Sequence, residues 1–341
     1  MKSAVFYGKN DIRIEEYQVP QIKDKEVLIK VMACGICGTD VHIYEGDKGA
    51  AATTPPTILG HEFAGIVVEK GSKVKDIQVG DRVCVDPNVL CGECYYCKSG
   101  VGHFCTEIIG IGTTTNGGFA EYCAVPVKQV YKLADDITFE MGAMAEPLAC
   151  CLHGIDLTEI KPGSTAVVIG GGMIGLLMIE LCKLKGAHKI ILLEPVAEKC
   201  KLGASLGADL CIDPINQNVK EVLEKEGIFQ IDAVIECVGL PSTISQGIEI
   251  AGKNSTVMMF GLTKPDDIVA IKPFELFQKE IVLKASFINP YTLGRAINLI
   301  NSKKVDVHSM IYSVESLERL PEILSNAELR KKGKYIINPW I

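Results

Sequence analysis

The stretch that decides the fold is "TAVVIGGGMIGLLMIELCKLKGAHKIILLEP", residues 165–195. An apolar run typical of a buried strand leads into a cluster of glycines, and a helical segment from Met173 to Lys185 follows it. A second apolar run, "HKIILLEP", comes next. A strand, a glycine turn, a helix and another strand form a βαβ unit, which predicts a parallel sheet.

The glycine cluster matches the pattern G-x-G-x-x-G in Gly170, Gly172 and Gly175. It directly follows a strand and opens a helix, which is the context that a dinucleotide fingerprint requires. The first glycine allows a tight turn, the second lets a pyrophosphate approach the backbone, and the third lets the helix pack closely on the strand. Met173 and Ile174 begin the helix, whose N-terminus attracts phosphate. We therefore expect these five residues to contact a dinucleotide.

An acidic residue at the end of the second strand indicates which dinucleotide binds. Glu194 lies nineteen residues past Gly175, where a carboxylate accepts hydrogen bonds from the adenosine ribose. A carboxylate there repels a 2′-phosphate, and no arginine follows in "EPVAEK", so the sequence favours NAD over NADP. Lys199 is either a second contact to this ribose or a solvated helix lysine.

The rest of the chain divides around this nucleotide-binding segment. Strands and helices alternate up to about Phe287, which predicts a doubly wound parallel sheet and an α/β fold. The first 150 residues are rich in β-strand patterns such as "EVLIKVMAC", "FAGIVVEKG", "DRVCVDP" and "GFAEYCAVP". The last residues contain one helical segment, "TLGRAINLINSKK", and a short tail expected to pack on the N-terminal part. The predicted domains are 1–150, 151–287 and 288–341.

Composition excludes several classes of protein. The net charge of −7 argues against a nucleic-acid-binding protein, which would carry a basic excess. The start of the chain lacks the continuous apolar core of a signal peptide. The longest uncharged stretch, 162–179, is interrupted by three glycines, which argues against a membrane span. We expect a cytoplasmic protein, whose cysteines stay reduced.

The segment "LCGECYYCKSGVGHFC", residues 90–105, concentrates soft metal ligands. Four thiolates complete a tetrahedral zinc shell and leave no open position for a substrate. We predict a structural zinc site here, and the spacing leaves an iron–sulfur cluster as the alternative. The four ligands are Cys91, Cys94, Cys97 and Cys105.

A second set of metal-ligating residues is more dispersed. A catalytic zinc needs three protein ligands and one exchangeable position. Cys37 and His61 with a carboxylate, Glu62 or Glu146, would provide them. Glu62 also has a simpler interpretation as an ion-pair partner, and Cys34 as a core residue. The motifs that carry this set are "CGICGTDVH", "GHEFAG" and "AEPLACCLHG".

Together these motifs resemble the zinc-dependent medium-chain dehydrogenases, the superfamily of alcohol and polyol dehydrogenases. The resemblance extends over essentially the whole chain and also includes "PTILGHEFAGIVVEKGSKVKDIQVGDRV" and "GGFAEY", in the family's order. It implies a GroES-like catalytic domain at 1–150, with a structural zinc lobe at 88–106. The C-terminal residues would complete that domain, and a Rossmann domain would lie between. It also implies two zinc ions in each subunit and a homo-oligomer, tetramer or dimer.

The resemblance also implies roles for individual residues around the catalytic zinc. Cys37 and His61 match zinc ligands, and Glu62 matches the glutamate that binds or exchanges at the metal. Glu146 stands where alcohol dehydrogenases have a second cysteine and where the polyol, glucose and threonine enzymes have glutamate. Asp40 matches the residue that orients the zinc-bound histidine.

The remaining matches concern proton transfer and the substrate. Thr39 and His42 match a relay that carries the alcohol proton to solvent. Sorbitol enzymes have an arginine–tyrosine pair where this chain has Ile288 and Asn289, which argues against sorbitol itself. We expect NAD-dependent interconversion of a secondary alcohol of a polyol and its ketone. The alternatives are L-threonine 3-dehydrogenase, a sugar-alcohol-phosphate dehydrogenase, and a zinc- and NAD-binding regulator without turnover.

Overall fold

The computed structural model describes residues 1–47 and 52–341, which form two compact units. The first unit comprises Met1–Ala149 and Pro290–Ile341, and the second comprises Cys150–Asn289. No helix within the described residues is long and apolar enough to cross a membrane.

The first unit is built mainly from strands. All four strand patterns noted above form strands, and they contain β3, β5, β6 and β9. The strands of residues 1–149 are β1 (Lys2–Gly8), β2 (Asp11–Glu16), β3 (Glu26–Gly35), β4 (Thr57–Ile58), β5 (Glu62–Lys70), β6 (Arg82–Val85), β7 (Asn88–Val89), β8 (Ile109–Gly110), β9 (Tyr122–Pro126) and β10 (Val130–Lys132). The α-helices here are α1 (Gly38–Tyr44), α2 (Tyr95–Lys98), α3 (Phe139–Ala143) and α4 (Ala145–Leu157).

The second unit alternates strand and helix as predicted. Its elements are β11 (Thr165–Ile169), α5 (Met173–Leu184), β12 (Lys189–Leu193), α6 (Ala197–Leu206), β13 (Leu210–Ile212), α7 (Val219–Lys225), β14 (Ala233–Glu236), α8 (Pro241–Ile250), β15 (Thr256–Met259), α9 (Pro273–Lys279) and β16 (Val282–Ala285). The sequence patterns did not indicate α8 or α9. Helix α8 contains serine, threonine and glycine, which are poor helix formers, and it starts with Pro241 in its first turn.

The sheet of the second unit is parallel throughout, with the strand order β13-β12-β11-β14-β15-β16. Numbered within the unit, this is the order 3-2-1-4-5-6 of a doubly wound nucleotide-binding fold. Strand β11 lies between β12 and β14, so the order reverses beside it. The α/β fold class predicted from the sequence is confirmed.

The C-terminal residues add further elements to the first unit. These are α10 (Leu293–Asn301), β17 (Ile311–Glu315), α11 (Leu320–Ser325), α12 (Ala327–Arg330) and β18 (Lys334–Ile337). Strand β18 pairs antiparallel with β3, and Ile336 lies opposite Gly35. The main sheet of the unit has the order β10-β6-β5-β3-β18-β17, and β9 also pairs with β3. This pairing joins the end of the chain to the segment that leads into α1.

Candidate metal centres and nucleotide-binding turn

The glycine turn lies at the carboxyl end of β11, where the strand order of the sheet reverses. Gly170 has a φ of +98°, a left-handed conformation that favours glycine. A Cβ on Gly175 would collide with the carbonyl oxygen of Gly170, so helix α5 packs closely only because residue 175 is glycine. Gly172 precedes α5 in open space, and half-buried Met173 and Ile174 begin the helix. The arrangement fits the pyrophosphate of a dinucleotide.

Glu194 fastens this turn to the end of β12. Its Oε2 accepts a hydrogen bond from the amide of Gly171 at 2.6 Å, and its Oε1 accepts one from the amide of Val196 at 2.9 Å. The residue is 5% exposed. A carboxylate oxygen has two lone pairs, so each oxygen can accept one further hydrogen bond. Lys199 lies half-buried in the first turns of α6.

A second buried carboxylate, Glu236 at the end of β14, was missed by the sequence reasoning. Its Oε1 accepts hydrogen bonds from the amides of Val238 and Gly239 at 2.8 and 2.9 Å and from the Thr243 hydroxyl at 2.8 Å. A methyl of Val238 borders the glycine turn, 2.7 Å from where a Cβ on Gly170 would stand. Glu236 thus holds the loop after β14 beside the turn. The available signal was an acidic residue ending the apolar run "IDAVIE".

The four-cysteine loop brings its thiols together as predicted. The Sγ atoms of Cys91, Cys94, Cys97 and Cys105 all lie within 4.8 Å of one another. The amide of Cys91 donates to the Sγ of Cys105 at 3.4 Å, and that of Cys94 donates to the Sγ of Cys91 at 3.4 Å. The backbone amides of Cys97 and Thr106 lower the pKa of Cys94 to about 6, whereas burial raises the pKa of Cys97 to about 12. Four converging thiols fit a tetrahedral zinc ion.

The second donor group assembles from two places in the chain. Cys37 is the N-cap of α1, His61 immediately precedes β5, and Glu62 is the first residue of β5. One donor atom from each of the three lies within 4.8 Å of the other two. Within the described residues this donor group does not include Glu146, which lies in the first turn of α4 and has interactions of its own. Cys34 is fully buried in the core, and burial raises its pKa well above the usual range.

Asp40 connects the two halves of this donor group. It is fully buried, its Oδ2 accepts a hydrogen bond from the amide of Cys37 at 2.8 Å, and its Oδ1 lies 3.3 Å from Nδ1 of His61. Burial lowers the pKa of His61, but Asp40 and Cys37 raise it by more, so that it lies well above its usual value. Because Nδ1 faces Asp40, Nε2 is the nitrogen left for a metal.

Glu62 is also the ion-pair partner that its simpler interpretation described. Its Oε2 contacts the Nζ of Lys334, and the two side chains are 1% and 3% exposed. Burial lowers the pKa of Lys334, but Glu62 raises it by more, so the net pKa is raised. The other oxygen, Oε1, is buried and has no hydrogen-bond partner within the described part of the chain. A thiol, an imidazole and an orphaned carboxylate oxygen are donors that fit zinc.

Helix α1 carries the two residues of the predicted relay. Thr39 and His42 are both half-buried, and their separation of three positions places them on neighbouring turns of one face. The Nδ1 of His42 lies 3.5 Å from a carboxylate oxygen of Asp47. Residues 48–51 lie outside the described part of the chain.

Comparison with known families agrees with this architecture. The sequence profile described as "Alcohol dehydrogenase GroES-like domain" matches residues 23–135, and the profile "Zinc-binding dehydrogenase" matches residues 173–302. The fold and the two donor groups define a zinc-dependent dehydrogenase with a nicotinamide cofactor. The chain belongs to the zinc-dependent medium-chain dehydrogenase/reductase family, and it is an enzyme of the alcohol dehydrogenase type.

Individual relatives are similar over nearly their full length. D-arabinitol dehydrogenase 1 of Uromyces fabae is 33% identical over 99% of this chain and 97% of the relative. L-threonine 3-dehydrogenase of Pyrococcus furiosus is 38% identical over 98% of this chain and 97% of the relative. Among solved structures, a zinc-binding dehydrogenase of Sinorhizobium meliloti 1021 bound to NADP has a TM-score of 0.95 and 38% identity, over 99% of both chains.

Proposed function

We propose that this enzyme interconverts a secondary alcohol of a polyol and the corresponding ketone, with NAD as the hydride acceptor. The observation that carries the proposal is the donor group of Cys37, His61 and Glu62, which supplies three ligands and so leaves a tetrahedral ion one position for a substrate. A dehydrogenase also needs a nucleotide site, and the glycine turn at β11 fits one.

In this mechanism the catalytic zinc is held by Cys37 and His61 with Glu62 or Glu146. The ion supplies Lewis acidity, which lowers the pKa of an alcohol bound there. Asp40 keeps the His61 ring oriented. Thr39 accepts the alcohol proton and His42 passes it towards solvent, a task suited to imidazole near neutral pH.

The nucleotide-binding residues form the other half of the mechanism. Gly170, Gly172 and Gly175, with Met173 and Ile174 at the start of α5, hold the pyrophosphate. Glu194 and Lys199 contact the adenosine ribose. The negative charge of Glu194 supports NAD rather than NADP. The Sinorhizobium relative was solved with NADP, so the coenzyme preference requires its own test.

The coenzyme test compares the wild type with Glu194→Ala. We expect the wild type to have a much higher kcat/KM with NAD than with NADP. Removing the carboxylate should lower kcat/KM for NAD and raise it for NADP, because the repulsion of the 2′-phosphate is lost. Equal use of both coenzymes by the wild type would contradict the assignment. Glu198→Ala, an exposed change in the same segment, is the matched control.

The remaining assignments complete this proposal. Residues 1–150 with 288–341 form the catalytic domain, residues 151–287 bind NAD, and the lobe 88–106 holds the structural zinc. The enzyme is cytoplasmic and forms a homotetramer or homodimer. Strand β16, at the edge of its sheet, supports self-association because its Val282 is 45% exposed. Light scattering on the purified protein would give the number of subunits directly.

The principal alternative substrate is L-threonine, because the Pyrococcus relative of that name is 38% identical. A panel of polyols, their phosphates, vicinal diols and L-threonine, assayed by NADH formation, separates the candidates. We expect the highest kcat/KM with an unphosphorylated polyol. A clear preference for threonine or a sugar-alcohol phosphate would replace the substrate and keep the mechanism. No hydride transfer with any substrate, despite bound NAD and full zinc, would indicate a regulator.

A further inference from the structure

Lys334 lies against the candidate catalytic ligands although it is far from them in sequence. Its Nζ contacts Oε2 of Glu62 and donates a hydrogen bond to the carbonyl of Ile36 at 2.8 Å. The pairing of β18 with β3 brings it there, because Ile336 lies opposite Gly35. A buried lysine that binds one oxygen of a candidate zinc ligand sits where it can change how that ligand meets the metal.

The space for this contact is built into the chain. A Cβ on Gly35 would collide with the Glu62 carboxylate and would lie only 2.9 Å from Cε of Lys334. Any other residue at position 35 would therefore push the two side chains apart. The glycine, the backbone carbonyl of Ile36 and the strand register all hold Lys334 in the same place.

The two oxygens of Glu62 have different surroundings. Oε2 is held by the Lys334 ammonium, whereas Oε1 is buried without a hydrogen-bond partner within the described residues. A carboxylate that shares its charge with an ammonium gives less of it to a metal ion. The charges also balance, because zinc and Lys334 carry three positive charges and ionised Cys37, Asp40 and Glu62 carry three negative ones. An unpaired charge at this depth would be costly.

We propose that Lys334 is a positioning residue that retains Oε2 of Glu62 and leaves only Oε1 to the catalytic zinc, which makes Glu62 a displaceable ligand. An alcohol oxygen then takes the place of Glu62 and gives it back when the product leaves. Without Lys334, both oxygens of Glu62 are available to the metal and the position needed by the substrate is closed. This inference rests on the proposed function, since it requires zinc at Cys37 and His61.

The test replaces Lys334 by methionine, which has a similar length and no charge, in the full-length zinc enzyme. Zinc removal by 1,10-phenanthroline should slow about tenfold, because Glu62 binds more firmly. The KM for the alcohol should rise about tenfold. The visible absorption of the enzyme substituted with Co²⁺ at the catalytic site should shift, which reports on the ligands directly. Lys332→Met, an exposed change on the same segment, should alter none of the three.

The double variant Lys334→Met/Glu62→Gln separates positioning from simple support of β18. In the Glu62→Gln background the lysine replacement should change zinc removal and KM by less than about twofold, because the carboxylate it controls is gone. Unchanged zinc removal and an unchanged Co²⁺ spectrum in Lys334→Met, with only a lower melting temperature, would overturn the inference. If Lys334→Met does not fold, Lys334→Gln, whose amide can still donate to Ile36, carries the same expectations.

The failure of this inference can be told apart from the failure of the proposed function. If Cys37→Ser keeps its full zinc content and turnover, the proposed catalytic site is wrong whatever Lys334 does. If Cys37→Ser loses one zinc ion while Lys334→Met leaves the Co²⁺ spectrum and the KM unchanged, only the role of Lys334 is wrong.

Discussion

The two donor groups of this enzyme are built in opposite ways. The four-cysteine loop takes all its ligands from residues 91–105 and from one type of side chain, and three of the four cysteines are only half-buried. The group of Cys37, His61 and Glu62 takes its ligands from α1 and from the start of β5, and it is surrounded by the buried charges of Asp40 and Lys334. The first arrangement closes a metal shell, and the second supplies a metal site that the rest of the fold can adjust.

The largest expected effect comes from Cys37→Ser. Loss of this ligand should lower turnover by about 10³-fold or more, because the Lewis acid contributes several kcal/mol to the reaction. The zinc content should fall by one ion per chain while the four-cysteine loop stays filled. NADH formation and metal analysis by atomic emission measure the two effects, and unchanged NADH binding serves as the check that the second unit is intact. Retention of turnover without this zinc would break the comparison.

Next in size is Cys94→Ser in the four-cysteine loop. The protein should lose the other zinc ion and its melting temperature should fall by about 10 °C, because a structural ion stabilises the fold directly. Turnover per correctly folded molecule should stay within about twofold, since the loop does no chemistry. Calorimetry and metal analysis test this, with the exposed Lys98→Ala of the same loop as control. A loss of turnover with unchanged stability would reverse the roles of the two groups.

A smaller effect is expected for Asp40→Asn. The amide can still accept the hydrogen bond from Cys37, but it lacks the charge that faces His61. Zinc affinity at the catalytic group should fall about 10- to 100-fold. Competition with a zinc-binding dye gives the affinity, and kcat/KM should fall in parallel. Glu45→Gln, an exposed change at the end of the same helix, is the control, and equal zinc affinities of the Asp40→Asn variant and the wild type would contradict the orienting role.

The smallest effect is expected for Cys34→Ala. The sequence "CGIC" has the spacing of a ligand pair, but Cys34 is fully buried in the core, where burial keeps its thiol protonated by raising its pKa. The variant should keep both zinc ions and turnover within about twofold, and it should lose about 1 kcal/mol of stability to the small cavity. Urea unfolding and metal analysis measure this. Loss of one zinc ion would make Cys34 a ligand and would blur the contrast between the two groups.

The parts of the fold that were predicted correctly are those with strong local patterns. The parallel sheet from β11 to β16 follows from apolar runs separated by helices and glycine turns, and each of its strands was indicated. Helix α1 was not predicted, because its stability comes from a side-chain cap. Asp40 accepts from the amide of Cys37, and only three residues separate them. Such a cap leaves too little periodicity in seven residues to be recognised.

Lys334 shows why part of the site was out of reach. Nothing in "KKGKYIINP" marks one lysine as buried, and most lysines are exposed. Its partner Glu62 lies 272 positions earlier. Glu236 was missed for a related reason, since its role depends on amides of a loop whose course is set by the sheet. The gathering of Cys37, His61 and Glu62 was anticipated, and their ligation of zinc stays a prediction.

The sequence by itself determined the family, the parallel sheet, the glycine turn and the four-cysteine loop. Each of these depends on residues that are neighbours in the chain, so their spacing carries the geometry. The tertiary structure alone decided that Glu62 is shared with Lys334, that Asp40 joins the amide of Cys37 to His61, and that Cys34 belongs to the core. Buried charges need partners, and the strand pairing of β18 with β3 chooses those partners from distant parts of the chain.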